Sequence, residues 1–287
     1  MPDEDVASLS GTILNAGAVN VIYGSASGLS TTVVRSDQFW SQNTPNVENV
    51  AQANDHFGSA LLTGNFNNDG FADLAIGVED EDVASLSGTI LNAGAVNVIY
   101  GSASGLSATV KPDQIFEQGL GDLEQMPEFP DNFGYSLAAG DFNNDQRDDL
   151  AVGVPNEGVA QGFDGIVQVI YGSSSGLSTS EVLADQIFQQ GVGGLGDMPE
   201  NLDQFGLSLA AGDFNNDQLD DLAVGAPPEN NIFTNDGIVQ VIYGSSSGLS
   251  TSAVLPDQKF ILADGASPAN DDLYGLTLSA GDFNNGG

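Results

Sequence analysis

The chain has no cysteine, one histidine, one tryptophan and only four basic residues. The lack of cysteine excludes a disulfide framework, a thiolate metal site and a cysteine nucleophile. The four basic residues stand against 40 acidic ones, for a formal net charge of −36 at pH 7. Nucleic acids and anionic membranes bind to clustered lysine and arginine, so both are excluded as partners. Cations remain as partners, and the alternative is that the acidity only keeps the protein in solution.

Long apolar runs are also missing, since no stretch approaches the ~18 apolar residues of a membrane span. Met1 is followed by PDEDVASLS rather than by a basic and apolar leader. This start indicates either a cytosolic protein or a mature or excised piece. The 287 residues, 40% of them hydrophobic, are enough for the core of one large or two ordinary domains.

The sequence repeats one unit along nearly its whole length. The segment YGSASGLS at Tyr23 returns at Tyr100, and as YGSSSGLS at Tyr171 and Tyr243. A DQxF element, an FG or YG pair and a GNFNNDG or GDFNN segment follow in the same phase. Residues 3–30 are identical to residues 80–107, which indicates recent duplication or deliberate engineering. A repeat every 70 to 80 residues or so predicts several copies of one supersecondary unit.

Each unit contains four short runs typical of strands, which end in GDF or carry DLAVG, VQVIYG and DQIF. No segment has a helical apolar stripe. We therefore predict an all-β fold, a β-propeller of four-stranded antiparallel blades, with a β-solenoid as the rival. The predicted single domain has a part-blade of the last two strands, three complete blades and a part-blade of the first strand, at residues 1–56, 57–132, 133–204, 205–273 and 274–287.

The loop between the first two strands of each unit reads D-x-N-x-D-x-x-x-D or a close variant. Side chains at positions 1, 3, 5 and 9 of a tight loop converge, and the carbonyl at position 7 can join them. A set of hard oxygen ligands favours Ca²⁺ over Mg²⁺. An EF-hand is excluded, because position 12 falls inside a strand and no helices flank the loop. The alternative is that Asp and Asn only form turns.

These loops predict about three structural calcium sites. The predicted ligands are Asn65, Asn67, Asp69, Phe71 (carbonyl) and Asp73; Asp141, Asn143, Asp145, Arg147 (carbonyl) and Asp149; Asp213, Asn215, Asp217, Leu219 (carbonyl) and Asp221; with Asp282 and Asn284 in a shortened fourth copy.

Position 6 of the loops weakens this prediction. It is Gly70 in the first loop but Gln146 and Gln218 in the others. A left-handed conformation costs a non-glycine residue on the order of 1 kcal/mol. The first loop has the glycine but fewer carboxylates, so we expect micromolar to millimolar affinity, which matters where calcium is abundant.

The order FG, GDFNND, DDLAVG and P, at residues 133–155 and 205–227, resembles the FG-GAP repeat of integrin alpha-subunit propellers and their bacterial relatives. The resemblance implies a propeller with calcium hairpins on one face and partner-binding loops on the other. Those loops would be residues 41–56, 78–94, 117–132 and 189–204. The unit formed by the two termini lacks a DLAVG strand, so we expect either a fragment of a longer array or completion by a neighbouring molecule.

Catalysis is not expected, because His56 has no counterpart in the other units and no Ser-His-Asp order repeats. The leading hypothesis is a non-enzymatic, calcium-stabilised adhesion or scaffold module, extracellular or at the cell surface, that binds a protein partner or its own copies. The alternatives are a calcium-dependent, lectin-like propeller that binds glycans, and an accessory domain of a secreted hydrolase. A lectin should show repeated aromatic and polar residues in the partner-face loops, and it is disfavoured because the Met-Pro-Glu segment at residues 126–128 recurs only at residues 198–200.

Overall fold

The computed structural model describes residues 1–31, 35–85, 88–158, 162–230, 234–252, 255–262 and 269–282. All regular structure in these ranges is β-structure, in antiparallel pairs. The described residues form no helix long and apolar enough to cross a membrane. The predicted all-β class is confirmed.

The N-terminal part-blade contains six short strands. They are β1 (Val6–Ser8), β2 (Gly11–Ile13), β3 (Val19–Val21), β4 (Tyr23–Ser25), β5 (Gly28–Ser30) and β6 (Gln38–Trp40). Strands β3 and β6 form a two-stranded sheet that corresponds to the last two strands of a unit. The pairs β1–β2 and β4–β5 are hairpins.

The first complete blade is a four-stranded sheet in the order β12-β11-β8-β7. Its strands and the hairpin that projects from it are β7 (Leu61–Gly64), β8 (Asp73–Val78), β9 (Val83–Ser85), β10 (Gly88–Ile90), β11 (Ala95–Ile99) and β12 (Gln114–Phe116). Strands β9 and β10 pair only with each other.

The second and third blades repeat this order. The second has β13 (Ser136–Gly140), β14 (Asp149–Val154), β15 (Ile166–Ser173), β16 (Gly176–Ser178) and β17 (Gln186–Phe188). The third has β18 (Ser208–Gly212), β19 (Asp221–Ala226), β20 (Ile238–Ile242) and β21 (Gln258–Ile261). Four antiparallel strands per repeat, ordered as they occur in the chain, form propeller blades rather than turns of a solenoid.

The second strand of each blade is buried along its whole length, as the DLAIG run of β8 and the DLAVG runs of β14 and β19 show. A strand covered on both faces has a continuous apolar sequence rather than an alternating one. The covering comes from neighbouring blades, because three apolar clusters lie between successive sheets. Each cluster joins an aromatic residue of one sheet to an isoleucine of the next, as in Trp40 with Ile99, Phe116 with Ile170, and Phe188 with Ile242.

The described residues at the C-terminal end form no strand. Tyr274 and Leu278 pack against the apolar face of the third blade. Further along, the Ala280 Cβ lies 3.5 Å from where a Cβ on Gly212 would be. This segment therefore lies beside β18, where the first strand of a following blade would lie. Residues 283–287, including the predicted ligand Asn284, fall outside the described ranges.

Candidate metal centre

The three acidic loops connect the first and second strands of the three complete blades, as predicted. Position 6 is left-handed in each, with φ of 85° at Gly70, 70° at Gln146 and 74° at Gln218. The residues two positions earlier, such as Asn144 with φ of 59°, are left-handed as well. Two left-handed residues turn the loop tightly, and the glutamines adopt this conformation at the cost expected for a non-glycine residue.

In the second loop, the side chains at positions 1 and 3 converge on the backbone amide of position 5. The Asp145 N–H donates to Asp141 Oδ1 and to Asn143 Oδ1, both at 2.9 Å. The Arg147 N–H then donates to Asp145 Oδ1 at 3.0 Å. The third loop repeats the contact from Asp217 N–H to Asp213 Oδ1 at 3.0 Å. The structure therefore brings three of the predicted ligand positions together.

Several polar atoms in these loops are buried without a hydrogen-bond partner. They include Asp145 Oδ2 in the second loop and Asn215 Oδ1 in the third. The nearest described cation to Asp145 Oδ2 is Arg147, whose Nη1 lies 3.4 Å away. A carboxylate oxygen whose nearest described cation is an arginine at 3.4 Å and an amide oxygen without a donor suit a hard cation, so the residues of the second and third loops fit Ca²⁺.

The first loop fits less well, because it carries less negative charge. Its internal hydrogen bonds, from Asn67 Nδ2 to Asp69 Oδ2 at 3.1 Å and from the Asp69 N–H to Asn65 Oδ1 at 3.1 Å, are also made in the third loop. Two of its four predicted side-chain ligands are Asn rather than Asp. A weaker attraction for a divalent cation follows from the smaller negative charge.

Position 9 has a structural role that the sequence analysis missed. Asp149 is fully buried, and its Oδ2 accepts the Phe142 N–H at 3.0 Å while its Oδ1 accepts the Gly172 N–H at 2.9 Å. Asp73 and Asp221 accept the same pair of amides in their blades. Both oxygens of this carboxylate thus bind backbone, and they join the loop to the end of the third strand.

The position 9 carboxylate is also electrostatically unfavourable. Burial raises the pKa of Asp149 to about 8, although the hydrogen bond from Gly172 lowers it, and the charges of Asp145 and Asp141 raise it further.

Among the described residues, the trios of acidic or histidine side chains with ligand atoms within 4.8 Å of one another are His56 with Glu79 and Asp80, and Glu200 with Asp203 and Glu229. The ligand atoms of Asp141, Asp145 and Asp149 in the second loop therefore do not all lie within 4.8 Å of one another.

Position 8 links the loops to one another, which the sequence analysis also missed. Asp148 Oδ2 accepts the N–H of Asn65, the first position of the preceding loop, at 2.6 Å. Asp220 Oδ2 accepts the N–H of Asp141 in the same way at 2.9 Å. The three loops therefore form a continuous row on one face. The signal was the first aspartate of the DD pair in QRDD and QLDD, but its partner lies in another repeat.

A second layer of acidic groups lies at the opposite ends of the strands. It contains the buried carboxyl pairs Asp55 with Glu81, Asp131 with Glu157 and Asp203 with Glu229. A buried glutamine donates to each glutamate, for example Gln118 Nε2 to Glu157 Oε2 at 2.7 Å. His56 lies at the edge of this layer, with Nδ1 2.7 Å from Asp80 Oδ2.

This layer predicts that stability falls as pH rises. Burial and the charge of Glu157 raise the pKa of Asp131 to about 8, while its unfolded value is near 4; Glu128 is the other acid beside it. Because the pKa of Asp131 is higher in the folded than in the unfolded state, its protonated form stabilises the fold. This contribution to the free energy of unfolding is complete below pH 4 or so and is lost as pH rises through about 8. Asp131→Asn should therefore increase the free energy of unfolding above about pH 8 by up to about 2 kcal/mol, after allowance for solvent screening.

Urea unfolding from about pH 5 to about pH 9, in chelator, measures this effect. The exposed variant Asp122→Asn is the matched control and should leave the slope of stability against pH unchanged. Equal slopes for wild type and Asp131→Asn would show that Asp131 is ionised throughout.

Comparison with known proteins identifies the repeat. A model of the FG-GAP repeat matches residues 57–98, 133–170 and 205–242. Phosphatidylinositol-glycan-specific phospholipase D of Rattus norvegicus is 39% identical over 122 residues, 42% of this chain and 14% of the relative. Its counterpart in Bos taurus is 32% identical over 191 residues, 66% of this chain and 21% of the relative. Integrin alpha-8 of Gallus gallus is 39% identical over 102 residues, 35% of this chain and 8% of the relative.

This chain therefore spans about a fifth or less of the length of these relatives. Each matched FG-GAP segment begins at the FG pair and covers the first three strands of one complete blade, together with its acidic loop. The fold, the loop geometry and the matches agree, and the chain contains three FG-GAP repeats.

Proposed function

We propose that the protein is a non-enzymatic interaction module, extracellular or at the cell surface, whose blades are stabilised by calcium and whose opposite face binds a protein partner. The observation that carries the proposal is the row of three linked, oxygen-rich loops on one face. Calcium in the second and third loops would neutralise carboxylates that otherwise repel one another, and it would hold the first two strands of each blade together.

The calcium ligands in this proposal are the residues that the sequence predicts, with unequal roles. Positions 1, 3 and 5 supply side-chain oxygens, and the carbonyl at position 7 completes the set. Position 9 supplies charge from the base of the loop while it binds two backbone amides. Loops of this affinity are filled where calcium is abundant, which supports an extracellular location.

The face opposite the calcium loops supports binding to a protein. Residues 117–132 and 189–204 expose large apolar side chains, with Met126 at 69%, Phe129 at 66% and Met198 at 70% of full exposure. Exposed apolar groups on neighbouring loops mark interaction sites, and methionine adapts to varied partners. Glycan binding would use repeated aromatic groups, whereas Phe129 is the single aromatic residue in the sequence of these two loops.

A second candidate function is an accessory domain of a hydrolase. It is favoured by the similarity to phospholipases D, whose aligned segments are a small part of the whole relatives. In that case the catalytic residues would belong to another domain, and this module would bind a surface and thereby position that domain.

The interaction role is tested with arrays of immobilised matrix proteins and glycans, probed with the labelled chain in calcium. We expect binding to one or more proteins, and at least a tenfold loss when Met126→Asp and Met198→Asp are combined, because charge opposes burial of the contact. Val110→Asp, at a position 70% exposed outside these loops, is the matched control. Binding only to glycans, or equal binding by all variants, would contradict the proposal.

A further inference from the structure

Successive blades are joined by a repeated contact that we call the clasp. It consists of a tyrosine and a glutamine of one blade and a leucine in the SGLS hairpin of the next. Tyr100 Oη accepts the Leu177 N–H at 3.0 Å and donates to Gln114. Gln114 Nε2 donates to the Leu177 carbonyl at 3.0 Å. Both backbone groups of the leucine are thus held, and its side chain is buried.

The described residues form the complete clasp twice, and the contacts of its tyrosine a third time. Tyr23 and Gln38 of the part-blade hold Leu106, with Leu106 N–H to Tyr23 Oη at 3.1 Å and Gln38 Nε2 to the Leu106 carbonyl at 2.9 Å. Tyr171 accepts the Leu249 N–H at 3.2 Å. The three clasped leucines, Leu106, Leu177 and Leu249, are 8%, 2% and 2% exposed.

The part-blade carries a fourth such leucine, and no described residue clasps it. Leu29, in the β4–β5 hairpin, is 77% exposed. Ile22 and Phe39 on the same face are 45% and 52% exposed. The counterparts of Ile22 in the three complete blades are fully buried at Ile99, Ile170 and Ile242. We call the surface formed by Ile22, Leu29 and Phe39 the head face.

The third blade carries the complementary half, the tail face, formed by Gln258 and Phe260 with Tyr243, itself 4% exposed, in the wall of the groove beside them. Within the described part of the chain, no hydrogen bond joins the Tyr243 hydroxyl or the Gln258 amide to another group. Phe260 is 45% exposed, whereas its counterparts Trp40, Phe116 and Phe188 are 6%, 7% and 9% exposed. A groove runs between these residues and Leu278, so the segment beside β18 leaves the outer half of the blade uncovered.

We propose that the head face of one copy docks on the tail face of a second copy, where Tyr243 and Gln258 clasp Leu29. The residue types that meet in this contact are the ones that meet three times inside the chain. Phe260 then takes the place of Phe188, and Ile22 that of Ile242. The occupant is therefore a second copy of this chain, which supplies a partner beyond the proposed function and does so independently of the calcium loops.

A contact between two different surfaces is heterologous, so each bound copy still presents one free head and one free tail. Such contacts build rings where the rotation closes and open filaments where it does not. The net charge of −36 opposes the association, while the two faces themselves are apolar. Salt shortens the range of the repulsion, so association should strengthen as ionic strength rises.

The test is the molecular mass of the chain in solution, measured by sedimentation in calcium and in chelator at high ionic strength. Wild type should form species heavier than the 29.5 kDa chain. Leu29→Asp blocks the head and Phe260→Asp blocks the tail, so each variant alone should sediment as a single chain. Mixed together, they retain one intact head and one intact tail and should form a 1:1 dimer that grows no further.

Two further variants keep the test specific. Leu9→Asp, at a fully exposed leucine in the β1–β2 hairpin, is the control and should associate like wild type. Tyr243→Phe removes only the hydroxyl that accepts the Leu29 N–H, and should weaken association at least fivefold. Melting curves verify that all variants are folded.

The proposal is overturned if wild type is monomeric at high salt, or if either charged variant still associates alone. It is also overturned if the two variants fail to form a dimer on mixing. A monomeric wild type that Leu29→Asp destabilises would show that the chain closes on its own head face. Loss of association in chelator with unchanged melting would attribute assembly to calcium instead of the clasp, and would leave the calcium proposal intact.

Discussion

Removal of calcium is expected to lower the free energy of unfolding by about 1.4 kcal/mol for each loop that is occupied at tenfold excess over Kd. The second and third loops should supply most of this loss, because they have more carboxylates and buried oxygens without donors. Thermal or urea unfolding in calcium and in chelator measures the difference. Identical curves in the two conditions would remove calcium from the proposed function.

Two variants of the second loop distinguish stabilisation by calcium from stabilisation by hydrogen bonds within the protein. Asp145→Asn keeps an oxygen for the Arg147 N–H but removes a charge that faces the proposed ion, so it should reduce mainly the stabilisation by calcium, since the ion pair with Arg147 Nη1 at 3.4 Å that is also lost is partly exposed and contributes little. Asp149→Asn places an amide where both oxygens accept backbone N–H groups. One buried donor is then left without an acceptor, which costs about 1–3 kcal/mol with or without calcium.

The comparison between these variants is the informative result. If Asp149→Asn destabilises only in calcium, position 9 acts as a ligand and its contacts with Phe142 and Gly172 contribute little. If Asp145→Asn destabilises the protein equally in calcium and in chelator, that carboxylate has a structural role, and the second loop is not supported as a calcium site. Wild type at matched ionic strength is the reference in both conditions.

Replacement of Gly153 with alanine is expected to lower the free energy of unfolding by more than about 3 kcal/mol, enough to prevent folding of the second blade. A Cβ at Gly153 would lie 2.1 Å from the carbonyl oxygen of Gly206 and 2.2 Å from Ser136 Oγ. The first of these atoms belongs to the backbone of the FG pair that begins the next blade. Two blades would have to separate to make room, and the cluster between them would lose its packing.

Gly24→Ala is the matched control for this prediction. Gly24 also lies in a strand and has no positive φ, but nothing lies within 4 Å of a Cβ built there. Its replacement should change stability by less than about 0.5 kcal/mol. Circular dichroism and urea unfolding measure both variants, and a Gly153→Ala protein as stable as wild type would show that the blades are packed more loosely than described.

These glycines explain the motif that names the family. Gly134, the second residue of an FG pair, has its carbonyl oxygen 2.3 Å from a Cβ position on Gly77 in the preceding blade. Its own N–H donates to the Gly153 carbonyl at 3.3 Å. The pair FG and the glycine of DLAVG are therefore two sides of one backbone contact between blades.

The sequence by itself determined the repeat, the strand content and the loops, because these depend on local chemistry. The β-branched runs bounded by Gly, Asn, Asp and Ser predict each strand within one unit, and Asp and Asn at alternate positions predict a loop whose oxygens converge. Trp40 packs between blades, and an aromatic residue recurs at that position of each DQxF element. Position 6 was correctly identified as the costly left-handed residue.

Only the tertiary structure decided which repeats meet, and therefore what several polar residues do. Asp148 binds the amide of Asn65, and Tyr100 clasps Leu177, from positions 83 and 77 residues apart. No local pattern encodes such a distance, because the partner of each group is set by how one sheet packs on the next. The pairing of buried acids such as Asp131 and Glu157, and the two apolar faces without a clasped partner, follow from that packing alone.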